Sequence, residues 1–174
     1  YKDIDKIALN HAVHYDLDFK YYIQQDFSNP KIEKLENGFY HKDTSMVTFE
    51  DNILYAENNG INIILGQYHR YDNGKLKIEQ PHYAQLPYEM LKKKNIPHEI
   101  IHLNDKSDKM GISTYNNKKL LNTSAAGTVL FTAVMYCISV GYKNIYLSGI
   151  TKMGNLEKTN RKFFKNIKNY YPDI

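Results

Sequence analysis

Ser124-Ala125-Ala126-Gly127-Thr128 opens the stretch that decides the fold. It runs through the apolar segment Val129-Leu130-Phe131-Thr132-Ala133-Val134-Met135-Tyr136-Cys137-Ile138-Ser139-Val140 to Gly141, then on through Lys143-Asn144-Ile145-Tyr146-Leu147-Ser148-Gly149-Ile150. The apolar residues cover nearly every face of a helix, so the helix is expected to be buried on all sides rather than half exposed. Ser124 or Thr123 can accept from the free N–H groups of its first turn, and Gly141 suits a C-terminal position of positive φ. A helix start with unpaired N–H groups and small residues before it is a natural anion site. The residues that follow, ending in Ser148-Gly149-Ile150, read as a short buried strand. Helix and strand together make an αβ unit with small polar turns at the ends where a phosphate would sit.

Outward from this unit the chain alternates strands and helices. Lys6-Ile7-Ala8-Leu9-Asn10 reads as a strand ending near Asn10, and Asp18 to Asp26 as a second that ends in the turn cluster Asp26, Ser28, Pro30. Met46, Phe49, Ile53, Leu54 and Ala56 have helical spacing, stopped by Asn58-Asn59-Gly60, and Ile61 to Gly66 is a short buried strand. Residues 67–87 read as an irregular excursion containing a hairpin at Asp72-Asn73-Gly74. Leu86, Met90 and Leu91 predict a helix whose cationic end is Lys92-Lys93-Lys94, followed after Pro97 by a strand through Leu103. A polar loop is expected from there to the opening helix. Leu156 to Tyr170 is helical, with Phe163, Phe164 and Ile167 inward.

This alternation predicts a single α/β domain over residues 1–174, with a mostly parallel sheet and helices on both faces, of the doubly wound, Rossmann-like kind. Ligands in such sheets bind beyond the strand C-termini. The rule gathers Asn10, Asp26, the turn Ser148-Gly149-Ile150-Thr151 and the N-terminus of the helix after Ser124 at one rim.

Composition narrows the function. The net charge of +4 comes from 23 basic and 19 acidic residues spread along the chain, too mild to argue for nucleic acid. A single cysteine, Cys137, precludes an internal disulfide and reads as a small core residue. No stretch approaches the apolar length of a membrane span and Tyr1-Lys2-Asp3 does not begin a signal peptide, so an intracellular, cytoplasmic protein is expected. The chain neither starts on methionine nor ends on a capped element, and it reads as a fragment.

The common catalytic motifs are missing: there is no Walker loop, no G-x-G-x-x-G, no G-x-S-x-G and no C-x-x-C. His11 and His14 stand three apart and His98 and His102 four apart; on a strand the second pair would lie about 13 Å apart, too far to share a metal. No metal is expected. Sixteen tyrosines with no tryptophan follow a lysine, asparagine, isoleucine and tyrosine bias through the whole chain, and are read as core or rim packing.

Gly141 to Ile150, with the apolar helix before it, closely resembles the corresponding helix and strand of the bacterial lipooligosaccharide sialyltransferases, glycosyltransferase family 42. Ile7-Ala8-Leu9-Asn10 is similar to that family's second strand, and Tyr21 to Asp26 to its third. The resemblance implies a Rossmann-like enzyme of surface-glycan assembly that uses CMP-activated sialic acid without a metal, lacking here its glycine-rich first strand and C-terminal lid. It implies that Asn10 contacts the nucleotide, that Thr128 or Thr123-Ser124 meets phosphate or ribose, and that Gly149 and Ile150 line the cytidine pocket. Thr151 stands where the family has an aspartate, its phosphate-binding tyrosines are absent from Lys152 to Leu156, and no histidine follows His102 to match its general base, so the resemblance names no catalytic residue. The partners implied are a nucleotide-sugar donor and a glycan acceptor, with peripheral association at the inner membrane face and homo-oligomerisation both compatible.

The chain is also similar to the MptE-like core of motility accessory factors and hydroxymethylpterin pyrophosphokinase-type proteins. Asn10, Asp26, Gly127-Thr128-Val129 and the Ile145-Tyr146-Leu147 segment carry that likeness. It implies diphosphate or nonulosonate transfer, with magnesium bound at Asp26. A third reading is a nucleotide-binding fold that has lost its chemistry.

Overall fold

A computed structural model describes residues 4–25, 49–72, 75–77, 87–104, 110–115, 118–122, 129–148 and 156–173. In chain order the elements are β1 (Ile7–Leu9), a 3-10 turn (Asn10–His14), β2 (Tyr21–Gln24), α1 (Phe49–Asn58), β3 (Asn62–Asp72), β4 (Lys75–Lys77), α2 (Tyr88–Lys94), β5 (Glu99–Asn104), β6 (Gly111–Tyr115), β7 (Lys118–Asn122), α3 (Val129–Ser139) and α4 (Leu156–Tyr170). The sheet has the order β1-β2-β3-β5-β7-β6. Its first five members run parallel, β6 is antiparallel to β7, and β4 folds back antiparallel on the outer half of β3. The expected α/β architecture with a mostly parallel sheet is therefore present.

Both faces of the sheet are covered, as parallel strands require. Ile23, Ile64, Ile101, Leu103 and Leu121 turn one way and pack on Phe131, Val134 and Met135 of α3 and on Phe163 and Ile167 of α4. Ala8, Tyr22, Ile63 and Leu65 turn the other way, against Ile53 and Ala56 of α1 and Leu91 of α2. Successive residues of β2 and β3 thus feed opposite cores, the period-two pattern of a strand buried on both sides. Phe131 and Phe163 stack with centroids 3.9 Å apart, locking α3 to α4.

The opening helix is buried as its composition predicts, Phe131 to Cys137 being buried without a break. It ends at Gly141, whose φ of 93° lies in the left-handed region. α2 ends with Asn95 at φ 50°, and its N–H caps the carbonyls of Leu91 and Lys92.

Two expectations are corrected. Residues 143–148 do not form a strand: they are assigned no regular structure, and Tyr146 is 78% and Leu147 43% exposed. A run of Ile, Tyr and Leu fits a pleated surface, but strand formation needs a neighbouring edge to take its backbone groups. Here only Ile145 reaches the core, and the chain after α3 is held instead by side chain, the Tyr142 hydroxyl donating to the carboxylate of Asp5. The polar region after Leu103 is in turn not all loop, for it contains the hairpin β6–β7. GISTY carries few apolar residues because β6 is an edge, and KKLLN, paired on both sides, has only the buried Leu120 and Leu121 as apolar residues, so the periodic signal of both is weak.

The excursion after Gly66 is partly regular too. β3 continues to Asp72 and pairs with β4, forming the expected hairpin.

Candidate functional site

From β1 to β7 the parallel strands are laid down in chain order, each beyond the last. α3 then brings the chain back across the sheet, touching β6 and β7 as well as β1 and β2. The Tyr142 contact with Asp5 fixes its exit beside the entry to β1. In open parallel sheets ligands bind outside the strand C-termini, which directs attention to the end of β1, the edge strand beside which the chain returns after α3.

Asn10 stands there. Leu9 is extended at φ −118°, ψ 129°, and the next residue, Asn10, flips to φ 50°, ending the strand and opening the 3-10 turn. Asparagine enters the left-handed region more readily than other residues with a side chain, which explains its place at this corner. Its Oδ1 is buried and has no hydrogen-bond partner among the described residues. An unsatisfied buried amide oxygen costs on the order of 1–3 kcal/mol, so this corner carries an acceptor that a ligand donor would relieve.

The same turn presents two imidazoles to one buried amide. Asn52 of α1 is fully buried, and its Oδ1 lies 2.8 Å from His14 Nε2 and 3.3 Å from His11 Nδ1. Its Nδ2 is also 3.3 Å from His11 Nδ1. Phe49 stacks on His11 at 5.5 Å and Tyr55 tilts against His14 at 4.5 Å, so α1 walls both rings. Val13, fully buried between them in sequence, anchors the turn in the core shared with α1. The hydroxyl of Tyr22 is near enough to the Asn52 amide to feel its dipole but does not meet hydrogen-bond geometry, and burial holds its pKa far above the usual tyrosine range.

Further along the rim the polar groups are mostly uncharged amides. Thr132 of α3 donates to Gln25 Oε1 at 2.6 Å, while Gln25 Nε2 has no partner among the described residues. Gln67 Nε2 donates to the Tyr88 hydroxyl at 2.8 Å, and Asn122 Nδ2 to Ser113 Oγ at 3.0 Å. Between them Gly66 leaves no room for a side chain: a Cβ there would meet Gln25 Cβ at 2.9 Å and Leu103 Cδ1 at 3.0 Å.

Of the residues expected to bind nucleotide, Asn10 alone is described. Asp26, Thr123, Ser124, Gly127, Thr128, Gly149, Ile150 and Thr151 lie outside the described residues. The elements bordering them are the end of β2 at Gln24, the end of β7 at Asn122 and the start of α3 at Val129. Ser148, in contrast, does not follow a strand, which removes the strand-end argument for the Ser148–Thr151 turn. The partnership of Asn52 with the two histidines was not foreseen. The spacing of His11 and His14 was visible, but Asn52 is 41 and 38 residues away from them and sits unmarked within a helical pattern.

Burial pushes the Cys137 thiol up to about 11 and, with the nearby Glu99 charge adding to it, Tyr136 up to about 12, so neither is an activated nucleophile. Among the described residues no three His, Cys, Asp or Glu side chains converge as a metal site requires, and no helix is long and apolar enough to cross a membrane. A groove lined by Val134, Ile145, Leu147, Phe164 and Ile167 lies between α3, α4 and the segment after α3, and none of the rim amides or histidines contributes to it.

No family model, curated protein or solved structure matches the chain.

Proposed function

We propose that this chain is a Rossmann-like nucleotide-sugar-binding domain of a glycosyltransferase, taking a CMP-activated sugar of the sialic acid type and passing it to a glycan acceptor in bacterial surface-glycan synthesis. The observation that carries the reading is Asn10, a left-handed residue at the end of β1 whose buried Oδ1 has no partner among the described residues. It stands at the C-terminal end of the first parallel strand, and it is the residue that the resemblance assigns to the nucleotide. The amide-rich rim supports the same reading, because amides and hydroxyls recognise a pyrimidine and ribose without demanding a metal.

Calorimetric titration with CMP, CDP and ATP, each with and without magnesium, tests this. Binding of CMP without metal is expected. ATP binding that depends on magnesium would transfer the chain to the diphosphokinase-like reading, and no binding at millimolar nucleotide would leave a fold without this chemistry. Asn10→Gly preserves the left-handed backbone while deleting the amide, and should weaken CMP binding by about 1–3 kcal/mol. Unchanged affinity in that variant refutes the placement of the nucleotide.

A further inference from the structure

We propose that His14 is the proton acceptor of this site, presented through Nδ1 and held in that role by Asn52 as a positioning residue. Catalytically the assignment rests on the nucleotide-sugar reading above; its chemistry rests on the geometry alone. An amide oxygen carries no proton, so the 2.8 Å contact between His14 Nε2 and Asn52 Oδ1 is an N–H donated by the imidazole. A neutral imidazole that carries its proton on Nε2 has a lone pair on Nδ1. His14 is exposed while Asn52 is fully buried, so the fixed end of the ring points into the protein and the ring as a whole remains accessible.

His11 complements it. Its Nδ1 lies 3.3 Å from both Oδ1 and Nδ2 of Asn52, so the same amide holds it in either tautomer. One buried amide thereby contacts both rings. Tyr55 against His14 and Phe49 against His11 limit rotation of both. The turn advances about 8 Å from Asn10 to His14 at the rise of a 3-10 helix, so both residues belong to one short segment at the end of β1.

The ligand class is a hydroxyl-bearing acceptor. In the transfer step the acceptor O–H gives its proton to His14 Nδ1, and its oxygen forms the new bond to the anomeric carbon. The bond from that carbon to the phosphate oxygen breaks, and its electron pair leaves with CMP. No oxidant, reductant or metal enters the balance.

Two measurements decide it. Long-range proton–nitrogen correlation on histidine-labelled protein, at alkaline pH where imidazoles are neutral, should show His14 as the Nε2–H tautomer. Asn52→Leu should let His14 relax toward a tautomer mixture, and Asn52→Asp should restore the Nε2–H form, with circular dichroism confirming that each is folded. A His14 proton on Nδ1 in the wild type, or a tautomer indifferent to Asn52→Leu, overturns the orientation. CMP release from CMP-N-acetylneuraminate with lactose as acceptor should fall about 100-fold or more in His14→Ala while CMP affinity is unchanged. Undiminished release in that variant overturns the base assignment. A wild-type protein that binds no CMP overturns the nucleotide-sugar reading and the catalytic role with it, and the tautomer result then upholds or overturns the orientation by itself.

Discussion

Thr132 and Gln25, 107 residues apart in the chain, meet in a fully buried hydrogen bond of 2.6 Å that ties α3 to the end of β2. Gln25 holds its carboxamide there at a cost, since Nε2 finds no partner among the described residues. The threonine hydroxyl is what satisfies the other half of that amide. Thr132→Val keeps the shape and removes the donor, so both ends of the Gln25 amide would be buried without partners. Destabilisation of about 1–3 kcal/mol is expected, read as a lower urea midpoint with an unchanged slope, and Thr132→Ser should recover much of it.

Gly66 sits where the sheet leaves no room for a side chain. A methyl group at this position would stand 2.9 Å from Gln25 Cβ and 3.0 Å from Leu103 Cδ1, and the first of these atoms is bound directly to the backbone of the segment leaving β2. Gly66→Ala should destabilise the protein by about 1–3 kcal/mol through overpacking, despite the better strand propensity of alanine. Because the displaced atom belongs to Gln25, the substitution should also disturb the Thr132 bond, and the effects of Gly66→Ala and Thr132→Val should fall short of additivity in a double-mutant cycle.

Phe163 fastens α4 to the rest. It is 1% exposed, stacks on Phe131 at 3.9 Å and meets Phe164 edge-on at 5.3 Å. Phe163→Ala should cost about 3–5 kcal/mol, whereas Phe163→Leu, which keeps most of the volume, should cost clearly less. Hydrogen exchange would show the loss first in α4, the element that this ring attaches.

Asp5 gathers the entry to β1, with Lys20 donating at 2.6 Å and the Tyr142 hydroxyl donating as well. The bond from Lys20, then that from Tyr142, holds its carboxyl below the ordinary aspartate range. A carboxylate depressed on folding contributes stability that is present above its unfolded pKa, about 3.9, and is lost as pH falls through the folded value. The carboxyl carbon shift of Asp5 should therefore titrate below the ordinary aspartate range in the folded protein, and Asp5→Asn should flatten the acid limb of the stability profile. Lys20 is half exposed, so salt should weaken this effect.

Most of the architecture was legible from local pattern. Phe131 to Cys137 could be read as an all-buried helix because no face of it is polar, and Phe163 and Ile167 as inward because they recur at helical spacing. Asn10 could be read as a strand end. The Ile145-Tyr146-Leu147 run was misread because its composition reports a preference for a pleated surface, and pairing depends on an edge that the sequence does not announce. GISTY and KKLLN give little signal for the opposite reason: β6 is an edge strand, and β7 needs only Leu120 and Leu121 to seat it beside β5.

The sequence by itself determined the alternation of strands and helices, the buried helix, its glycine stop and the amide at the end of β1. Each follows from periodicity or from the backbone preference of one residue type, which act over a few residues. Tertiary structure alone decided the order of the strands, the return of α3 to β1 and the meeting of Asn52 with His11 and His14. Those relations join residues about 40 to 137 positions apart. They come from how helices of limited length cover a sheet buried on both faces, a choice made by the packing as a whole and carried by no single stretch of chain.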